Sequence, residues 1–126
     1  MKVLLDTNAF LWGLNAPEKL SVSARNAIAS SERLLSLASI WEILIKVRVG
    51  KLPLPVPADN YLTLQMRSNG VSLLSIKLAH VLQIERLQLH HRDPFDRMLI
   101  AQGIEERLPI ITADPIFSRY PVKVIW

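Results

Sequence analysis

Lys2-Val3-Leu4-Leu5-Asp6-Thr7-Asn8 is the stretch that decides the fold. Its apolar run reads as a short buried strand. Asp-Thr-Asn ends that strand, because these side chains bond neighbouring backbone amides and favour a turn. The predicted strand covers Lys2 to Asp6, and a helix over Ala9 to Leu14 follows, ending before Pro17. Working outward, comparable strand patterns occur at Leu34 to Ser36, Val71 to Leu74, Ile110 to Thr112 and Val122 to Ile125. Helical patterns lie between them. Val22 to Ser30 is capped by Ser21, and Ser39 to Val49 carries Ile40, Ile43, Leu44 and Val47 at helical spacing, with Gly50 as its stop. Further helices are predicted over Ala58 to Gly70, Lys77 to Leu82 and Pro94 to Arg107, the last capped by Asp93. Asp114-Pro115 opens a final helical turn, and Pro53, Pro55 and Pro57 make a short extended connection.

Apolar strands alternating with helices argue for the α/β class, with a parallel sheet covered on both faces. In open sheets of this kind ligands sit beyond the carboxyl ends of the strands. Asp6 and Asp114 both lie just past such ends, which makes them candidate neighbours.

Four islands place a carboxylate at the start or end of an apolar element, or inside one: Leu5-Asp6-Thr7-Asn8, Ser39-Ile40-Trp41-Glu42, Asp93-Pro94-Phe95-Asp96 and Thr112-Ala113-Asp114. An acid in such company is costly unless it is paired, hydrogen-bonded or bound to a cation. Each also has a plain structural task. Asp93 and Asp114 read as helix caps, Asp6 as a turn former, and Asp96 as an acid that suits a helix N-terminus. Glu42 needs no cap where it sits; its structural alternative is an ion pair with Lys46 one turn on. Taken together, the set points to a shared acidic site. The chemistry that most often needs one is divalent-metal binding for phosphodiester cleavage.

The 126 residues, 50% hydrophobic, fit one domain over 1–126 that buries a core without staples. Cysteine is absent, which excludes thiol catalysis, cysteine-based zinc sites and a disulfide framework, and makes the reducing cytoplasm the expected compartment. Val3-Leu4-Leu5 is too short an apolar run for a signal peptide, and no later run reaches the length of a membrane span. Fifteen Lys and Arg against 11 Asp and Glu leave a net charge of +4. If Asp6, Glu42, Asp96 and Asp114 share one pocket, the remaining surface is basic enough to steer a polyanion towards it.

These blocks resemble the PIN-domain ribonucleases, specifically the VapC-type toxins of prokaryotic toxin-antitoxin pairs. Met1 to Asn8 is similar to the family's opening strand and first acid, and Ala38 to Ile43 with Lys46 and Gly50-Lys51-Leu52 to its second block. His91-Arg92-Asp93-Pro94-Phe95-Asp96-Arg97-Met98-Leu99-Ile100-Ala101-Gln102 matches the third, and Thr112-Ala113-Asp114 with Phe117 the fourth. The resemblance implies an α/β/α sandwich and a Mg²⁺- or Mn²⁺-dependent endoribonuclease. Asp6, Glu42, Asp96 and Asp114 would be its catalytic, metal-binding acids, with Asp6 and Asp96 central. Thr7, Asn8, Asp93 and Thr112 would support them, while Lys46 and Arg97 would hold phosphates or balance charge. It also implies RNA as substrate, a homodimer, and a cognate antitoxin whose tail lies in a groove near the acids. Phe10-Leu11-Trp12 and Trp41 are candidates to line that groove, or else core.

Three other readings compete. A phosphoacceptor receiver domain also places Mg²⁺ beside acids past strand ends, but it wants adjacent acids after the first strand and gives Glu42 no task. Metal-free RNA cleavage would use His90 and His91 as acid and base, although adjacent histidines in a polar loop are ordinarily solvated. A catalytically inactive RNA- or protein-binding module would bind without turnover.

Overall fold

The computed structural model describes residues 1–126. In chain order the elements are β1 (Lys2–Leu5), α1 (Thr7–Asn15), α2 (Val22–Ser30), β2 (Glu32–Ser36), α3 (Leu37–Arg48), α4 (Ala58–Ser68), β3 (Val71–Leu74), α5 (Leu78–Arg86), α6 (Pro94–Glu106), β4 (Ile110–Ile111) and β5 (Val124–Ile125). Short 3-10 turns occupy Pro17–Lys19 and Pro115–Arg119. The strands form one parallel sheet in the order β3-β2-β1-β4-β5. A receiver domain uses the order 2-1-3-4-5, so that alternative does not describe this sheet.

Alternation along β1 sorts the core into two layers. Val3 and Leu5 face one side, where they pack with Leu35, Ile111, Phe10, Ala24, Ile43 and Leu62, so α1 to α4 cover that face. Leu4 faces the other with Ile110, Leu99, Ile100 and Phe117, which belong to α6, β4 and the second 3-10 turn. The expected α/β/α sandwich is the observed architecture.

The chain leaves β1 at the centre of the sheet, extends it through β2 and β3 on one side, and returns to place β4 and β5 on the other. The order therefore reverses between β1 and β4, and a crevice opens there at the carboxyl ends. Leu5 pairs with both Leu35 and Ile111, so the next residues, Asp6, Ser36 and Thr112, stand in one row at the mouth of that crevice.

Several boundaries differ from those expected, each for a local reason. Helix α1 begins at Thr7, not Ala9, because Asp6 caps it directly, Oδ1 accepting the Ala9 N–H at 2.7 Å. Helix α3 begins at Leu37 because the Ser36 hydroxyl accepts the Ala38 N–H at 3.0 Å. Strand β2 starts at Glu32, two residues early, where it pairs with Lys2. Helix α5 runs past Leu82 to Arg86; Ile84 packs on the second core layer, and Arg97 takes up the freed carbonyls of Ile84 and Leu87. No helix is long and apolar enough to cross a membrane.

Candidate active site

Two groups of side chains converge on the crevice, one from the α1–α3 side and one from the N-terminus of α6. On the first side, Asp6 spends one oxygen on the α1 cap, and Thr7, the first residue of α1, is buried against α3. The Thr7 hydroxyl is 2.8 Å from Glu42 Oε1 and 2.9 Å from Ser39 Oγ. Having one proton, it donates to the carboxylate and takes its second bond from Ser39. Lys46 Nζ donates to Glu42 Oε2 at 2.8 Å from one turn along the helix. Glu42 is therefore buried with both oxygens engaged.

On the second side, Asp93 caps α6, its Oδ1 accepting the N–H groups of Phe95 and Asp96 at 2.8 and 3.1 Å. Asp96 in the first turn then points into the crevice. Asp114 caps the following 3-10 turn through Oδ1, which accepts the Ile116 N–H at 2.9 Å. Its Oδ2 lies 2.8 Å from His91 Nε2, which is also 3.1 Å from Asp96 Oδ2. The tautomer follows from the opposite nitrogen: His91 Nδ1 accepts the Asp93 backbone N–H at 3.2 Å, so the proton sits on Nε2 and is shared between the two carboxylates. Although His91, Asp96 and Asp114 place possible ligand atoms within 4.8 Å of one another, the histidine acts here as a donor between acids.

The result is a cavity of about 140 Å³ lined by Asp6, Thr7, Asn8, Glu42, Lys46, Asp93, Asp96 and Asp114, with no apolar residue in its wall. Five carboxylates face one ammonium. Two carboxylates at about 4 Å repel by roughly 4 kcal/mol at an effective dielectric near 20, and the acids respond accordingly. Burial first, then the charge on Asp93, pushes Asp96 up to about 7, against the partial relief given by His91. Burial also raises Asp6, opposed by the Thr112 hydroxyl and the Ala9 amide and reinforced by Asp114 and Glu42. Lys46 is raised, chiefly by its hydrogen bond to Glu42. A wall of hard oxygen donors with excess negative charge fits Mg²⁺ or Mn²⁺.

Of the candidates read from sequence, all the acids, Thr7, Asn8 and Lys46 meet at this cavity. Thr112 stands behind it, buried, its hydroxyl accepting the Asp114 N–H at 3.1 Å. Arg97 does not reach it. Its guanidinium donates to the backbone carbonyls of Ile84, Leu87, Gln88 and His91, so it clamps the segment after α5 instead of offering itself to a phosphate. The expectation of solvated loop histidines is also corrected. His91 is only 9% exposed, its ring set edge-on to Phe117, while His90 stacks edge-on to Tyr120, so the two do not form an acid–base pair. His91 is a site residue that the sequence offered a role only in the metal-free alternative; the clue to its place among the acids is its position two residues before a capping Asp, where the cap's own N–H fixes the ring. Phe10 belongs to the core and Trp12 packs on Trp126, whereas Trp41 is 60% exposed and edge-on to Phe95 beside the acids.

A parallel α/β sheet whose switch point opens on a carboxylate-lined cavity defines the class of this protein. A family model described as PIN domain matches residues 3–123, and the chain belongs to that family. It is 43% identical over 67 residues to a protein named Ribonuclease VapC16 of Mycobacterium tuberculosis (strain ATCC 25618 / H37Rv); the match spans 53% of this chain and 44% of that relative. Among solved structures it is similar to a chain of VapBC2 from Rickettsia felis bound to a promoter DNA fragment (TM-score 0.71, 15% identity, 98% of this chain and 97% of that one). DNA-bound VapBC from Salmonella typhimurium gives a TM-score of 0.73 at 14% identity, covering 98% and 96% of the two chains. At these identities the solved structures share the fold.

Proposed function

We propose that this chain is a Mg²⁺- or Mn²⁺-dependent endoribonuclease and the toxin of a toxin-antitoxin pair. The observation that carries the reading is the cavity itself: five acids from four separate parts of the chain, with Asp96 held at about 7 by burial first and then by the charge on Asp93. The ribonuclease name of the relative supports the choice of RNA.

Asp6 and Asp96 are the direct ligands, since Glu42 and Asp114 have both oxygens committed to protein donors and are held as outer members of the set. A bound cation supplies Lewis acidity that polarises the phosphoryl group and acidifies the attacking water. The chain's own contribution is placement. Thr7 and Lys46 fix Glu42, His91 fixes Asp96 and Asp114, and the half-exposed Lys46 ammonium offers the cavity's one positive charge to a phosphate. In the hydrolysis, water oxygen bonds to phosphorus and the bond to the 3′ oxygen breaks, which leaves 3′-hydroxyl and 5′-phosphate ends.

The antitoxin and a homodimer belong to the same reading. Leu37, Trp41 and Ile45 are exposed at successive turns of α3 and Val49 just past its end, an apolar stripe beside the acids that supports a protein partner. Light scattering of the chain with and without the product of its genomic neighbour tests the partners. The decisive assay for the activity is cleavage of a defined RNA panel in Mg²⁺, Mn²⁺ and EDTA by wild type and Asp6→Asn. Cleavage that survives EDTA, or full activity in a folded Asp6→Asn protein, would end the proposal.

A further inference from the structure

The acid cavity by itself repels a polyanion, so a strand that reaches it needs a neighbouring surface of the opposite sign. Five of the 11 acidic residues are gathered in that cavity with Lys46, which leaves 14 of the 15 lysines and arginines against six acids elsewhere. Two adjoining clefts hold four of these cations. The first, about 230 Å³, lies between the C-terminal end of α5 and the 3-10 turn at Pro115–Arg119, and its wall includes Arg86, His90, Arg119 and Tyr120. The second, about 300 Å³, lies at the C-terminal end of α6 and includes Arg107 and Lys123. Ile104 and Pro121 line both, so the clefts adjoin. Neither wall contains a carboxylate, and none of the four cations is in an ion pair.

One rigid segment separates this track from the acids. The Tyr120 hydroxyl in the first cleft accepts the His91 N–H at 2.7 Å and donates to the Gln88 carbonyl at 2.6 Å, and His91 is the residue that reaches Asp96 and Asp114. Arg97 ties down the Gln88 and His91 carbonyls from within. A strand held on one side of such a wall is set in register with the other. Helix α6 runs alongside, from Asp96 at the cavity towards Arg107, and its 13 residues span about 20 Å.

Two residues in the track have features that suit a nucleic-acid strand. His90 stands edge-on to Tyr120 at 5.2 Å, a half-buried ring on which an unpaired base can stack. Arg107 has φ +54°, the one positive φ outside glycine, at a helix end where glycine is the ordinary choice. An arginine kept in that conformation places a charge in the cleft at a local cost.

We infer that this basic track binds single-stranded RNA, with Arg86 and Arg119 in the near cleft and Arg107 and Lys123 in the far one holding phosphates, and His90 stacking a base. The inference rests on the ribonuclease reading and states how the substrate of that site is held.

The test uses the full chain carrying Asp6→Asn, so that RNA is bound and not cut, with Mg²⁺ and a fluorescein-labelled single-stranded RNA read by anisotropy over a salt series. Adding Arg86→Ala and Arg119→Ala should raise Kd about tenfold and flatten the salt dependence by about 0.7 in slope for each phosphate no longer neutralised. Arg107→Gly eases the backbone, so weaker RNA binding at an equal or higher Tm separates the effect of charge from that of folding. Unchanged Kd and slope in both variants overturn the track. The same substitutions with Asp6 restored keep the two readings apart. A wild type that cuts RNA, beside variants that bind it as tightly, removes the track and leaves the nuclease. A chain that cuts nothing yet releases RNA when its arginines are replaced removes the nuclease and leaves the track.

Discussion

His91 Nε2 lies 2.8 Å from Asp114 Oδ2, and the same proton is within reach of Asp96 at 3.1 Å. One neutral ring thus joins acids from two different elements, while Tyr120 and Arg97 hold its backbone N–H and C=O. His91→Leu removes the shared donor and leaves two crowded carboxylates unscreened. Without metal, the variant should lose about 1–3 kcal/mol of stability. Added Mn²⁺ should raise its Tm by more than it raises that of wild type, because the cation relieves a larger repulsion. Thermal melts with and without Mn²⁺ measure both, and equal Tm values would remove the bridge.

Asp6→Asn keeps an oxygen for the Ala9 N–H and deletes one negative charge from a cavity that already holds too many. Cleavage should fall at least about 100-fold, the upper end for lesser changes near metal sites. The metal-free protein should melt at the same temperature or higher. A lower Tm would mean that the charge itself serves the fold.

Stability of the metal-free protein should depend on pH in an unusual direction. Asp96 sits at about 7, against 3.8 for an ordinary Asp. Between about pH 4 and 7 the folded chain keeps a proton that the unfolded chain has released, so stability falls as pH rises through that window and levels off above it. Asp6, also raised, acts with the same sign. Glu106 opposes them, since its hydrogen bond to buried His80 lowers its pKa and that contribution is lost as pH falls below the usual carboxylate range. Denaturant melts from about pH 4 to 8 should show the decline, and Asp96→Asn or saturating Mg²⁺ should flatten it.

Arg97 spends its guanidinium on four backbone carbonyls that no lysine can span. Arg97→Lys should cost about 2 kcal/mol or more and speed amide exchange in residues 87–91. A phosphate-holding arginine would instead raise KM for RNA with the Tm unchanged, and kinetics beside melts tell the two apart.

The sequence on its own determined the α/β class, because short apolar runs that read as buried strands alternate with helical patterns. It also located the acids, since each breaks an apolar element at a point where the reason is local. Capping and chemistry are rival explanations for Asp6 and Asp114 only while the residue is treated as one group, yet each carboxylate has two oxygens: Oδ1 caps, and the side chain still lines the cavity. Glu42 likewise both pairs with Lys46 and faces the crevice. What only the tertiary structure decided were relations across the chain. Strand order set β1 beside β4 and so brought Asp6 to Asp114. The Asp93 amide fixed the His91 tautomer, and the carbonyls left free after α5 drew Arg97 away from the acids. The site also depends on hydrogen-bond partners 23 to 35 residues apart, such as His91–Asp114 and Thr7–Glu42, and on burial that shifts a carboxyl by its surroundings. Local pattern specifies neither, because both arise only when separate elements share one desolvated space.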